Sequence, residues 1–564
     1  MTSPAVVSPP VGRTGAQTQS RHALHLAVVA VAVAGVALGV ALRAWALTHH
    51  VLNADEAVVG LMAEGVLHGH GSVFYWGQDY GGGEAYVAAL LVAAFGRSGI
   101  ALESTAAVLS ALAALTTWRV ARRLTPDRGV AALAGVLVWV APEVAVRLST
   151  MEYGFRGVTM LFGLLALLAA VRLLDGYRGL PDWAALGLSA GIAWWSSPEA
   201  VYYLLPAFLL FVAAVVAAVV VRRAGAVTGV LTGLVGFAVG AAPWLVVNLT
   251  HGFESLRTSN FQGGSRPLTY SKRLSQFFHL SAPIELGLKR WGSGLRTFGA
   301  PGTPGWEQVA WDVLLAAVCA VLAAALLRCV LRRDRAVAVA VGAVAFPFVY
   351  AASPATWFWQ DGRYGVYLGP LLALLLAAAI GRRRAHDGRS GAHRAISGGR
   401  DRAPAMAAVV VVSALLTCLV FGAESSSSAG VTTVAGFFSG WHNPDAAYQR
   451  GARILAADGL VKGYASYWIA YQVDFYDAAL RYTTVGNDVD RSAAINRAAR
   501  SGSGQSWLFD TVYGGPAGAT VSGLEAQLRR MGVSYRVTHA GPYTAITPGR
   551  RLSPERQLGE THVP

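Results

Sequence analysis

Long apolar runs recur along this chain, at 24–47, 101–121, 128–141, 156–174, 183–197, 200–221, 226–248, 306–330, 336–352, 364–381 and 404–422. A helix needs about 20 apolar residues to cross the hydrocarbon of a bilayer. Lipid offers no partner to backbone polar groups, so a spanning chain must satisfy them internally. About eleven such runs predict an α-helical polytopic membrane protein. Composition agrees: 14% of the 564 residues are charged, against about a quarter in a soluble protein.

A formal net charge of +15 would suggest a nucleic-acid ligand in a soluble chain. Here most arginines sit in short loops between the runs, where orientation in a membrane requires them. The basic excess therefore implies a lipid bilayer as partner and no nucleic acid. With the N-terminus cytoplasmic, Arg119, Arg122, Arg123 and Arg128, then Arg172 and Arg178, Arg222 and Arg223, and Arg328, Arg332, Arg333 and Arg335 all fall inside, as does the arginine-rich segment 381–402. This predicts a multi-pass protein of the plasma membrane. Cys319, Cys329 and Cys418 all lie in apolar runs and suggest neither a disulfide framework nor a metal site. The first run lacks a convincing cleavage site and reads as a retained span.

The domain plan follows. Residues 1–20 read as a disordered cytoplasmic N-terminus and 21–423 as the transmembrane domain, with a surface loop at 49–99 and a long outside loop at 251–305. Residues 424–564 are less apolar. Strand-like runs ("GYASY", "RYTTV", "SWLFD", "YRVTHA") alternate with helical ones ("DRSAAINRAAR", "SGLEAQLRRM"). They read as a small extracytoplasmic soluble α/β domain.

The loop at 49–99 is the unusual part. It opens with "NADEAVVG", two adjacent carboxylates just past the first run. The segment 55–69 has helical periodicity. The apolar stretch 84–96 is short for a span and reads as an interfacial or re-entrant helix. Between them lie Phe74, Tyr75, Trp76 and Tyr80 beside a glycine cluster. Asp55 and Glu56 have a plain reading as helix N-terminal charges, with Asn53 or Asp55 as cap. Two facts pull toward a site. Asp79 and Glu84 share the loop, and Glu143, Glu152 and Glu199 border other runs on the same side. Charges at a bilayer surface are costly unless they face water or each other. Acids on one rim suggest a cavity open to the outside, where a carboxylate can act as general base on an acceptor hydroxyl.

An Asp-Glu pair after the first span, followed by two surface helices, resembles the GT-C superfamily of membrane glycosyltransferases. The likeness is to its protein O-mannosyltransferase and aminoarabinose-transferase branch (glycosyltransferase family 39-like), and it extends over about 24–380, including "WWSSPEAVYYLLPAFLL" and "DGRYGVYLGPLLALLLA". The resemblance implies a GT-C-like fold and a polyprenyl-phosphate sugar donor. The acceptor would be a glycan, lipid or protein, and the sugar would move by inverting displacement. It implies Asp55 as catalytic base or acceptor-orienting group and Glu56 as its supporting neighbour. Arg363 and Tyr364 sit where such enzymes place groups near the lipid phosphate, and an arginine suits that partner; the plain alternative is a snorkelling interfacial arginine. Glu199 and Tyr202 fit sugar hydroxyls or merely a helix start after Pro198. Asp79 and Glu84 complete the substrate-binding set.

Glu152 and Arg156, four apart, fit a simple ion pair. Lys289 and Arg290 are further phosphate candidates. Trp468 and Tyr471 would serve a domain core or stack on sugar rings. No second Asp-X-Asp motif stands in an outside loop, so no cofactor is implied; a divalent metal is left open by Asp79 and Glu84 but not indicated. A transporter or lipid-linked-sugar flippase is the alternative, and it should carry its key charges near the midplane. A non-catalytic scaffold would tolerate loss of Asp55.

Overall fold

The computed structural model describes residues 15–176, 179–220, 225–256, 269–288, 305–331, 335–353, 363–381, 402–429, 445–485, 491–501, 504–510 and 514–552. Lys289, Arg290 and much of the loop at 251–305 and of the segment 381–402 lie outside these.

Every apolar run is helical where described. The chain begins with α1 (Gly15–His49), so residues 15–20 are helical rather than disordered. The surface loop holds α2 (Ala54–Leu67) and α3 (Gly83–Phe95). There follow α4 (Gly99–Leu124), α5 (Arg128–Trp139), a short α6 (Glu143–Leu148), α7 (Arg156–Leu174), α8 (Leu180–Ser196) and α9 (Val201–Val220). Next come α10 (Ala226–Gly240), α11 (Ala242–Thr250), α12 (Tyr270–Gln276), α13 (Ala282–Glu285), α14 (Gly305–Leu331), α15 (Ala336–Ala352), α16 (Leu368–Ile380) and α17 (Ala403–Ala429).

Among the described residues five helices are long and apolar enough to cross a bilayer, or six if the pair α10 and α11 counts as one span. That pair bends by 69° where Pro243 lacks the N–H a continuous helix would use. The expected count of about eleven is not reached on length: α5, α15 and α16 are apolar but shorter. Helices α1 and α14 leave Leu26, Val33, Val313 and Val321 exposed, surface that lipid suits and water does not. Helices α8 and α10 touch backbone to backbone. A Cβ on Gly187 would meet the Gly233 carbonyl at 1.9 Å, so glycine there sets the close approach.

The two ends of the bundle differ chemically. At one end Asp175, after α7, takes Arg123 from the end of α4 at 3.3 Å and also Arg335 from before α15. Three of the loops read as inside loops thus meet on one face. The surface loop, α6 and the start of α7 lie at the opposite end.

The tail forms a five-stranded mixed sheet in the order β2-β1-β3-β5-β4. The strands are β1 (Lys462–Tyr464), β2 (Arg481–Thr483), β3 (Ser506–Asp510), β4 (Tyr535–Ala540) and β5 (Tyr543–Pro548). β1 is parallel to β2 and β3, and β5 antiparallel to β3 and β4. Helices α18 (Asp445–Ala457), α19 (Tyr467–Tyr476), α20 (Ala493–Arg500) and α21 (Val521–Arg530) complete it.

This α/β unit shares one hydrophobic core with the surface loop: Leu52, Val58, Val59 and Met62 pack with Tyr471, Val473 and Phe475. Helix α19 lies on α2, and a Cβ on Gly60 would meet the Phe475 ring at 2.4 Å. Polar contacts tie the same seam. Arg97 donates to the Asp474 carbonyl at 2.5 Å and Gln472 to the Leu52 carbonyl at 2.6 Å. The tail and the surface loop therefore occupy the same end of the bundle.

Candidate active site

The sequence Asn53-Ala54-Asp55-Glu56 builds the start of α2 as a capping box. The Asn53 side chain accepts from the Glu56 N–H at 3.2 Å, and the Glu56 carboxylate accepts from the Asn53 N–H at 2.9 Å. Glu56 is fully buried and also meets His50 Nε2 at 2.9 Å. One carboxylate of the pair is thus committed to the helix start, and the neighbouring Asp55 projects elsewhere, about a quarter exposed.

Asp55 is held from the far end of the chain. The Tyr467 hydroxyl donates to Asp55 Oδ1, and Arg491 Nη2 lies 3.5 Å from the same oxygen. Tyr75 donates to the Asp55 carbonyl at 2.9 Å. The Arg491 guanidinium sits over the rings of Tyr75 and Tyr467, at 5.1 and 5.6 Å. Burial and the Asp55 carboxylate push the Tyr467 hydroxyl up, so it stays protonated and donates. Burial works against the Arg491 charge, but Tyr75, Tyr467 and Asp55 outweigh it and push the guanidinium up.

Two arginines share the surroundings of Tyr153 and Tyr364 with Asp55. Arg156, at the start of α7, is 7% exposed, yet its Nε and Nη1 have no hydrogen-bond partner among the described residues. Its guanidinium lies 4.6 Å from the Tyr153 ring and 5.5 Å from that of Tyr364. Arg363 lies over the same two rings, at 5.9 and 5.8 Å. Tyr153 joins the two sides: Asn53 Nδ2 reaches its hydroxyl at 3.5 Å, and it feels the charges of Glu56, Arg363, Arg156 and Asp55. Below Arg156 opens a mostly apolar cavity of about 230 Å³ between helices, lined by Leu109, Leu137, Met160, Val366, Leu372 and others, with Glu84 and Glu285 as its other charged groups.

The structure brings Asp55, Glu199 and Arg363 each within electrostatic reach of Tyr364. Glu199 faces Arg156 and Arg363 beside Tyr367. Other residues of the expected set lie differently. Glu84 is buried and accepts from the Val158 N–H at 2.7 Å, which anchors the start of α7. Tyr202 is buried, stacked at 4.2 Å on Phe346, within the helical core. Asp79 stays half-buried on the turn between α2 and α3. Glu152 does not pair with Arg156. It accepts from the Gly154 N–H at 2.9 Å; burial and the adjacent Glu84 carboxylate push it well up, so it keeps its proton. Tyr471 is buried core and accepts from the Arg491 N–H at 2.6 Å, while Trp468 is 45% exposed.

Sequence reasoning missed Arg156 as a free cation and missed Tyr467 and Arg491 entirely. "MEYGFR" did carry a signal for the first, an arginine among aromatics at the mouth of an apolar helix. The other two carry none locally. One group could hold a metal ion: donor atoms of His50, Glu56 and Glu103 lie within 4.8 Å of one another. Burial opposes a charge on His50, but Glu56 outweighs it and pushes the imidazole up.

Residues 83–244 match the family model of dolichyl-phosphate-mannose-protein mannosyltransferase. The crystal structure of ArnT from Cupriavidus metallidurans in the apo state superposes with a TM-score of 0.56 at 14% identity, covering 92% of this chain and 97% of that one. The same protein bound to undecaprenyl phosphate gives 0.54, with the same identity and coverage. The oligosaccharyltransferase AglB from Archaeoglobus fulgidus, in complex with an inhibitory peptide and a dolichol-phosphate, gives 0.45 at 13% identity over 81% of this chain and 64% of that one. No curated protein matches this chain by sequence. At such identities the ArnT likeness establishes the fold. The GT-C resemblance read from the sequence holds at that level.

Proposed function

We propose that this chain transfers a sugar from a polyprenyl-phosphate carrier to an acceptor hydroxyl, at the extracytoplasmic end of the bundle. One observation carries the reading: a carboxylate, Asp55, and an arginine pair, Arg156 and Arg363, act on the same tyrosine, Tyr364, and Arg156 lines an apolar cavity. The carboxylate suits an acceptor hydroxyl, the arginines a phosphate and the cavity a polyprenyl tail. ArnT has been crystallised with undecaprenyl phosphate, and the matching family model carries a dolichyl-phosphate sugar in its name. Both support a lipid-phosphate donor here. The clustered arginines at the far end support an outward-facing site, since positive loops stay in the cytoplasm.

The steps follow from the geometry. Asp55 accepts the proton of the acceptor hydroxyl as its oxygen attacks the anomeric carbon. The bond to the phosphate oxygen breaks on the opposite face, which inverts the carbon. The electron pair leaves with the polyprenyl phosphate, whose growing negative charge meets Arg156 and Arg363. Phosphate is already a good leaving group, so the chain's contribution is positioning and charge stabilisation. Glu199, beside Tyr367 and the arginines, is placed to accept from sugar hydroxyls. Sugar and acceptor follow from a direct test: radiolabelled polyprenyl-phosphate sugars offered as a panel to membranes holding the wild type or Asp55→Ala. Transfer that collapses in the folded variant supports the reading. Equal transfer by both removes Asp55 from the mechanism, and flux of an intact carrier across the membrane would favour a flippase.

A further inference from the structure

One oxygen of the Asp55 carboxylate takes a hydrogen bond from Tyr467 and an ion pair with Arg491 at 3.5 Å. The Tyr467 hydroxyl and Arg491 Nη2 both meet Oδ1, and among the described residues Oδ2 has no hydrogen-bond partner. Neither donor belongs to the bundle: Tyr467 opens α19 and Arg491 precedes α20. Arg491 is itself fixed. Its Nε lies 3.1 Å from the Tyr467 hydroxyl, its Nη1 reaches the Trp76 carbonyl at 3.4 Å, and its backbone N–H donates to Tyr471.

The bland alternative is a seam contact that only fastens the tail to the surface loop. The seam does not need it. Phe475 against Gly60, Arg97 on the Asp474 carbonyl and Gln472 on the Leu52 carbonyl already join the two parts around a shared apolar core. The contact balances the Arg491 guanidinium, 10% exposed, but the Asp55 carboxylate is 24% exposed and does not need it for burial. What the contact does is remove a rotation. An aspartate at a helix start can turn about its last torsion, which is broad and roughly two-fold. The hydrogen bond and the ion pair, both on Oδ1, fix that torsion and leave Oδ2 to accept from another group.

We propose that Tyr467 and Arg491 are positioning residues of the transfer site, by which the C-terminal domain orients the Asp55 carboxylate toward the acceptor hydroxyl. This rests on Asp55 being the acceptor-side group, as set out above. The domain is then part of the active site.

The test uses the purified full-length chain in detergent, with undecaprenyl-phosphate [14C]mannose and the other donors of the panel as probes. Tyr467→Phe and Arg491→Met should each lower kcat roughly 10- to 100-fold, the scale of a misplaced reacting group. The donor KM and the melting temperature should stay close to wild type. Arg491→Lys, which keeps the charge but not the fork, should recover part of the loss. A wild-type kcat in both loss variants overturns the proposal. So does a fall in kcat that tracks a fall in melting temperature, with no recovery in Arg491→Lys. Asp55→Asn separates the two layers. If Asp55→Asn is inactive while Tyr467→Phe is fully active, only the positioning role falls. If Asp55→Asn works as well as wild type, or no donor is turned over by the wild type, the base assignment falls and the positioning role with it.

Discussion

Replacing Arg156 by Met should separate function from stability. Arg156 is 7% exposed and leaves two guanidinium nitrogens without a hydrogen-bond partner among the described residues. Holding a charge in that state costs free energy. Its compensation is the facing Glu199 carboxylate and contact with the Tyr153, Phe155 and Tyr364 rings, each ring worth about 0.5–1 kcal/mol at ordinary sites. Methionine removes a buried charge that lacks two hydrogen bonds, gives up its attraction to Glu199 and keeps an apolar stem against those rings, so the changes oppose each other and the melting temperature should barely move. Catalysis should behave otherwise. A hydrogen bond to a charged group is worth about 1.5–3 kcal/mol, which converts to about 10- to 150-fold in rate. The donor phosphate carries one negative charge as a diester and gains charge as it departs, so the lost interaction is stronger in the transition state and kcat should carry the loss. Steady-state transfer assays and tryptophan-fluorescence melts on the same preparations measure both. An Arg156→Met variant with wild-type kcat, or one whose activity falls only because it unfolds, would refute a phosphate role for this residue.

Other consequences are simpler to state. Burial opposes the charge of His50 but Glu56 raises its proton affinity, with Glu103, Asp445 and Arg147 as further charged neighbours. A raised folded value stabilises fully below the unfolded value of about 6.5 and is lost as pH climbs through the folded one. Melts should therefore fall across that window, and Glu56→Gln should flatten the dependence while costing about 1 kcal/mol through the capping box. Gly60→Leu should drive a side chain into Phe475 and part the tail from α2, seen as new proteolytic cuts near 60 and 475 together with lost transfer; an uncut, active variant would contradict the shared core. Chelation should leave transfer intact, because in the proposed transfer the departing phosphate meets Arg156 and Arg363 rather than a metal; loss on EDTA and return with a single cation would show the reverse.

Much of this was written locally in the chain, where the physics is local. The capping box needs only Asn53 and Glu56 three apart, the runs of the bundle need only their length, and four of the five strands announce themselves by β-branched and aromatic residues. The strand Tyr543–Pro548 was missed because "YTAITP" ends in a proline, which reads as a break. The span count exceeded what helix lengths support, because apolarity marks burial in protein as well as in lipid. Helix α16, with Leu371, Leu374 and Leu375 fully buried, is apolar for the first reason as much as the second.

The partners of Asp55 show a different limit. Tyr467 lies 412 residues beyond it, and nothing around either residue marks the other. The run "GYASYWIAYQVDFYD" reads as a domain core, and most of it is: Ile469, Tyr471, Val473 and Phe475 are buried. Yet the same helix that buries those side chains turns Tyr467, at its first position, toward the surface loop. A core helix that packs on α2 necessarily places its N-terminal residues beside the N-terminal carboxylates of α2. Once the tail docks, Asp55 acquires neighbours that no spacing rule in the first hundred residues could supply. Legibility thus fails at the seam between two parts that each read well alone. In a bundle whose transfer site lies at its rim, the seam is where orienting groups are expected, because a rim leaves one side of the site for another element to close.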